Sequence, residues 1–196
     1  MKSPILRIAL LVFSSCLGHT AVAELPTAAM LANTCAGCHG TNGSSVGPAS
    51  PTIAGISRDY FIESMQAYQS GERLSTIMQR IAKGYNEAEI ELMADYFSRQ
   101  TFNRHQQEHD AKQADFGRRL HKKYCEKCHE DGGRTADDDS GILAGQWAAY
   151  LRYAMQDFIN GDRPMEKKMK KRVTELQTDH GEQGVEALIQ FYASQQ

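Results

Sequence analysis

Cys35-Ala36-Gly37-Cys38-His39 and Cys125-Glu126-Lys127-Cys128-His129 are two copies of one five-residue pattern, C-x-x-C-H, in a chain of 196 residues. The pattern is the attachment signature of a c-type haem. On a helical turn, residues i, i+3 and i+4 share one face. Two thiols spaced in this way can bond to two edges of a porphyrin while the imidazole sits under the iron. One C-x-x-C alone could be a redox dithiol or half of a zinc site. Two copies, each followed at once by His, point to two covalent haem c groups.

The residues before the first motif read as an export signal. Lys2 and Arg7 form a basic start, Ile8 to Phe13 an apolar run, and Ala21-Val22-Ala23 a small-residue cleavage site ahead of Glu24. The run is too short to span a bilayer. Phe13 argues against a lipid-bearing Cys16, because a small aliphatic residue is usual at that position. Residues 1–23 are therefore expected to be removed, placing the mature protein in the periplasm. Four cysteines remain, Cys35, Cys38, Cys125 and Cys128, and the two motifs use them all. Two disulfides would also suit an exported chain, but would leave both motif histidines unexplained. The mature chain has 20 Lys and Arg against 24 Asp and Glu, a formal charge of −4, which offers nothing to nucleic acid. No later stretch is apolar enough to cross a membrane.

Laying one half on the other at an offset of 90 residues extends the repeat well beyond the cysteines. Ile53-Ala54-Gly55 falls on Leu143-Ala144-Gly145, and Tyr60-Phe61 on Tyr150-Leu151. Met65 falls on Met155, Tyr68 on Phe158, Gly71 on Gly161 and Arg73 on Arg163. Two tandem copies of one fold follow, expected at 24–100 and 115–196, joined by a polar linker at 101–114. Domains near 80 residues have small cores, and a covalent haem would supply much of the missing apolar interior.

Each copy reads as helical, so the fold class is all-α. Thr27 can cap a helix from Ala28 to Asn33, and Asp115 one that carries Phe116, Leu120 and Tyr124 at helical spacing. Middle helices are expected near 58–70 and 147–160, ending at Gly71 and Gly161. Closing helices are expected near 87–99 and 183–194. No stretch alternates like a strand.

The sixth iron ligand separates a carrier from a catalyst, and Met opposite His favours the ferrous state. Met65 and Met93 sit among apolar residues at helical spacing and read as core. Met78 lies between the middle and closing helices, so His39 and Met78 are the expected axial pair of the first haem. In the second copy Met169 lies seven residues before Leu176, as Met78 lies seven before Tyr85. His129 and Met169 are therefore the second expected pair, with Met165 as the alternative. His105, His109, His121 and His180 read as solvated surface residues. Arg163, Lys167, Lys168, Lys170, Lys171 and Arg172 form a basic cluster, and Asp137-Asp138-Asp139 an acidic one. Each is either a solvated face or a docking patch.

The residues around the motifs carry a narrower resemblance. Val46-Gly47-Pro48-Ala49-Ser50-Pro51, Arg80-Ile81-Ala82-Lys83-Gly84-Tyr85, Ile142-Leu143-Ala144-Gly145-Gln146-Trp147 and Arg163-Pro164-Met165-Glu166-Lys167-Lys168-Met169 belong to it. In these stretches the chain resembles the dihaem cytochrome subunits of flavocytochrome c sulfide dehydrogenases. The resemblance implies two mitochondrial-cytochrome-c-like class I domains about a pseudo-twofold, with haems near their interface. It implies a heterodimer with a flavoprotein subunit that carries the FAD and oxidises sulfide, this chain passing electrons to a soluble c-type cytochrome. It also implies that backbone carbonyls at Pro51 and Gly141 hold the two ligating imidazoles. A free-standing dihaem carrier is the alternative, and a dihaem peroxidase or thiosulfate-oxidising enzyme a third reading. No G-x-G-x-x-G follows a strand, so the chain has no flavin site of its own.

Overall fold

The computed structural model describes residues 26–196, so the expected export signal and the start at Glu24 lie outside the described residues. Among the described residues there is no strand, only a single bridge between Asp137 and Ser140. The expected all-α class holds.

The first half is built from α1 (Ala28–Asn33), α2 (Ala36–His39), α3 (Arg58–Ser70), α4 (Met78–Ala82) and α5 (Glu87–Ser98). Local chemistry sets the boundaries. The Thr27 hydroxyl accepts from the Met30 N–H at 3.3 Å, as expected for an N-cap. Ser57 does the same for Tyr60 at the head of α3. Gly71 closes α3 at φ 85°, a left-handed position that costs glycine little. Asn86 and Glu89 close a reciprocal capping box on α5.

The second half repeats the plan with a middle helix of equal length and longer outer pieces: α6 (Ala111–Tyr124), α7 (Ala148–Asn160) and α8 (Lys167–Ala193). Two boundaries depart from expectation. Asp110, not Asp115, caps α6, its carboxylate accepting from the Lys112 and Gln113 N–H groups at 2.8 and 2.9 Å. Lys112 and Gln113 had the polarity of a linker but belong to the first turn of the helix, Lys112 exposed and Gln113 half-buried, while Asp115 bonds Arg118 and Arg119 one turn on. α8 is two helical segments separated at Gly181, whose φ of 59° and ψ of −153° are not helical: the segment after it is the closing helix expected near 183–194, and the segment from Lys167 to His180 was not expected. His180 is the last helical residue before that break.

Each half has its own core. Phe61, Met65, Ile90, Met93 and Phe97 centre the first, with Met93 fully buried as expected. Leu120, Tyr124, Leu176, Leu188 and Phe191 centre the second. There α6 crosses α8 so closely that a Cβ on Gly117 would meet the Ala187 carbonyl oxygen at 1.9 Å. Only glycine permits that approach.

The seam between the halves is polar and reciprocal. The buried Gln146 side chain accepts from the Thr52 N–H at 3.0 Å and donates to the Thr52 carbonyl at 2.9 Å. Trp147 Nε1 donates to the Ser45 carbonyl at 3.1 Å. Arg73 donates to the Tyr150 hydroxyl at 3.3 Å, and its counterpart Arg163 to the Tyr60 hydroxyl at 3.0 Å. These crossed pairs relate the halves by the expected pseudo-twofold. The connecting segment is tied down too, Gln107 bonding the Gln146 carbonyl and the Ala148 N–H.

Candidate functional site: a cavity shared by two Cys-x-x-Cys-His motifs

A cavity of about 1170 Å³ runs between the halves and takes its lining from both. Small-molecule pockets usually fall at roughly 300–1,000 Å³, so this one exceeds what a single ligand needs. All four motif cysteines and both motif histidines line it, as do Met78 and Met169. Met165 is not among the lining residues, although it precedes Met169 by only four positions. The register places Met169, Val173 and Leu176 on the inward face of α8, with Val173 and Leu176 buried. Met65 and Met155, matched in the repeat, also reach the lining from α3 and α7.

The first motif is helical. His39 and Gly40 donate their N–H groups to the Cys35 and Ala36 carbonyls at 2.9 and 3.0 Å, which turns Cys35, Cys38 and His39 to one side. His39 Nδ1 donates to the Pro51 carbonyl at 2.8 Å, the acceptor the resemblance implied. That bond fixes the tautomer and leaves Nε2 free as a ligand atom. Burial lowers the His39 pKa and outweighs the opposing pull of Pro51, so the ring stays neutral.

The second motif differs. Its N–H groups close the same turn onto the Cys125 carbonyl, at 3.1 Å from Cys128 and 2.9 Å from His129. Yet no hydrogen bond joins His129 to Gly141 among the described residues, so the implied second acceptor is not formed. Gly141 instead lies against the Tyr60 ring, where a Cβ would approach Cε1 at 3.1 Å. Behind the motif stands His121, expected at the surface but only 2% exposed. Its Nδ1 lies 2.9 Å from the Tyr192 hydroxyl and its Nε2 meets the Glu126 carboxylate. Sequence reasoning missed it because a polar stretch, His121-Lys122-Lys123, hides which residue faces inward. The α6 register with Gly117, Leu120 and Tyr124 was the available signal.

Burial raises the Cys35 pKa and pushes Cys125 up to about 11, whereas redox and zinc-binding cysteines are held low. All four cysteines are free, and no group of three or more metal-ligating side chains occurs among the described residues. Leu74, Ile77, Ile81 and Tyr153 are apolar yet 36–58% exposed, and all four face the cavity. A flat apolar group in the cavity would cover them. The residues thus fit two covalently held porphyrins. When bound, the haem irons supply a reversible one-electron change between ferrous and ferric states.

The seam tyrosines and arginines line the same space. Arg73 is buried with neutral partners only: Ser64, Tyr150 and the Tyr68 ring, 4.6 Å from its guanidinium. Burial alone would raise the Tyr60 hydroxyl, but the charges of Arg163 and Arg73 outweigh it and hold the group below its ordinary pKa. Tyr60, Tyr150, Arg73 and Arg163 stood out in the repeat as polar identities, which was the sequence signal for them. The acidic cluster stays exposed, and within it Asp138 accepts from the Ser57 hydroxyl at 2.8 Å across the seam.

The Cytochrome c family pattern matches residues 27–101. Cytochrome c-554(548) of Halomonas halodenitrificans is 36% identical over 70 residues, a match covering 34% of this chain and 84% of that protein. The chain belongs to the cytochrome c family, and the two motifs make it a dihaem c-type electron carrier. The cytochrome subunit of sulfide dehydrogenase from Chlorobaculum tepidum is more similar still, 46% identical over 68 residues. That match covers 35% of this chain and 61% of the subunit, and it bears out the resemblance read from the sequence. The fold of the whole described chain is that of a cytochrome c4: the reduced recombinant protein from Pseudomonas stutzeri superposes with a TM-score of 0.73, covering 88% of this chain and all of that one at 23% identity. No helix among the described residues is long and apolar enough to cross a membrane.

Proposed function

We propose that this chain is the electron-transfer subunit of a sulfide-oxidising flavocytochrome. It accepts electrons from the FAD of a flavoprotein partner and passes them to a soluble c-type cytochrome in the periplasm. Its haems are bonded to Cys35 and Cys38, and to Cys125 and Cys128. His39 and Met78 ligate one iron, and His129 and Met169 the other. The two units span 24–100 and, with the whole of α6, 111–196, after removal of residues 1–23. The observation that carries the reading is the single cavity lined from both halves by both motifs and by Met78 and Met169. The similarity to a sulfide dehydrogenase cytochrome subunit supplies the donor.

In this reading the protein's own groups hold and orient rather than react. His39 is fixed by Pro51, the cysteines set porphyrin rotation, and the seam sets the separation of the two centres. Sulfide chemistry belongs to the partner. The test is purification from the native source, followed by addition of sulfide. Co-purification of a flavin-containing chain and sulfide-dependent haem reduction are expected; haems that stay oxidised beside a bound flavoprotein refute the reading. The match to 84% of cytochrome c-554(548), over 34% of this chain, supports a second reading, a free dihaem shuttle, which predicts a lone monomer with no flavin.

A further inference from the structure

In both halves the hydroxyl of the residue just before the first motif cysteine meets the segment that carries the methionine. Thr34 Oγ1 lies 2.6 Å from the Tyr85 hydroxyl, and Tyr124 donates to the Asp179 carboxylate at 2.5 Å. Thr34 already gives its proton to the Leu31 carbonyl at 2.6 Å, so Tyr85 is the donor in the first half. Thr34 and Tyr124 are equivalents at the offset of 90, but their partners are not. Tyr85 falls on Glu175, and Asp179 lies four residues further on. The link recurs while the residue that makes it changes.

Protein packing does not bury the methionine-bearing turns. No residue from Leu74 to Ile81 is buried, and the first one after Met78 is Ala82. None from Lys167 to Arg172 is buried either, and the first one after Met169 is Val173. Each turn is therefore positioned from its far end. In the first half Gln69 Nε2 donates to the Ala82 and Tyr85 carbonyls at 2.9 and 2.7 Å, and Tyr85 carries the hold on to Thr34. In the second, Val173 and Leu176 pack inward, and Asp179 is fastened to Tyr124 and, at 3.2 Å, to Lys123. A cleft of about 320 Å³ opens between the end of α6 and this segment, with Tyr124 and Asp179 on its wall. Helix stability does not explain Asp179. It stands in the last turn before the Gly181 break, where the helix dipole disfavours a carboxylate. Tyr124 and Lys123 hold its carboxyl below the ordinary pKa, so this link is made to a charge, whereas the link between Thr34 and Tyr85 is neutral.

We propose that Asp179 and Tyr85 are positioning residues for the axial methionines: tied to the residues before Cys125 and Cys35, they keep Met169 and Met78 seated against exchange by outside ligands. The charge-assisted, stronger tie belongs to the second half. The inference rests on the assignment of Met78 and Met169 as iron ligands. A carrier needs such ties, because loss of the thioether removes what favours the ferrous state. In the exchange that reads them, an imidazole nitrogen takes the place of the methionine sulfur on ferric iron, and no electron is transferred.

The experiment follows loss of the long-wavelength Met–iron absorption when the ferric dihaem holoprotein is mixed with imidazole in stopped flow. Met78→Ala isolates the band of the second half, and Met169→Ala that of the first. In the Met78→Ala background, D179A and Y124F should each speed the loss about tenfold, and the D179A/Y124F pair should be no faster than either alone. E182Q, an exposed carboxylate just past the break, should change nothing. In the Met169→Ala background, Y85F should speed the loss about threefold, and D179A should leave it unchanged. Unchanged rates in D179A and Y124F would overturn the inference. So would additive acceleration in the pair, which would mean that the two residues act separately. Equal acceleration at both irons would overturn it as well, by reducing the effect to loosening of the whole molecule. A wild type without the band, or a band that Met169→Ala leaves whole, would overturn it too, and that outcome alone would also refute the ligand assignment.

Discussion

The two halves of this protein share one plan and differ in how they brace it. The first holds its motif as a short helix, anchors the His39 ring on the Pro51 carbonyl and closes with the 12-residue α5. The second leaves the His129 ring without that anchor. It backs the motif with the buried pair His121 and Tyr192, and closes with the 27-residue α8. Around its methionine the first carries Arg80 and Lys83 among apolar residues, and the second carries Lys167, Lys168, Lys170 and Lys171. After duplication, the inward-facing positions were constrained by the cavity and the seam, while the supports behind them and the surfaces outside were free to diverge.

The largest expected effect tests whether the halves are equivalent as electron centres. Met78→Ala and Met169→Ala should each abolish half of the long-wavelength Met–iron absorption and lower one of the two potentials, leaving the other in place. Met165→Ala should change neither. Loss of the band in Met165→Ala, with Met169→Ala intact, would reverse the ligand assignment in the second half.

Next in size is the helix crossing found only in the second half. Gly117→Ala must push α6 off the Ala187 backbone and should destabilise that half by about 3 kcal/mol. A calorimetric scan that separates two transitions, with only one displaced, would show that the halves melt independently. A common shift would show that the seam makes them one cooperative unit. The seam itself is probed by Gln146→Leu, which strands the Thr52 N–H and carbonyl. A loss of about 2 kcal/mol is expected, and both halves should feel it. An unchanged melting profile would mean that water replaces the amide.

The smallest effect is in pH. Burial lowers the His121 pKa below its usual value of 6.5, outweighing Glu126, so the native state binds fewer protons there than the unfolded chain. The stability it contributes is complete above pH 6.5 and declines as the pH falls below that value toward the native pKa. Acid titration followed by Soret circular dichroism should show the wild type losing stability over this range. His121→Gln should flatten the slope.

Much of the fold was legible because it was written twice. The offset of 90 residues located both middle helices and their Gly71 and Gly161 ends. It also flagged Tyr60, Tyr150, Arg73 and Arg163, although not what they bond. The illegible parts have physical reasons. Lys112, Gln113 and the small Ala111 and Ala114 give no apolar stripe to tell a linker from a first helical turn, so the cap of α6 lies five residues before the expected Asp115. Gly181 does break the helix, but the polar stretch before it, loop-like in sequence, is helical because Val173 and Leu176 are buried on its inner face. Gln146 falls opposite Ile56 in the repeat, so nothing marked it as the residue that ties the halves together.

The crossed arginine–tyrosine pairs have a consequence for how such a molecule can evolve. Each half lends its tyrosine to the other's arginine, so a gene fragment encoding one half would expose a guanidinium and a phenol made for a partner it lacks. Recombination can therefore exchange what surrounds the pair, but cannot return the duplicate to a single copy without first rebuilding that seam. The spacing between the two redox centres is in this sense inherited as a unit, and selection on partners has had only the outer faces to work with.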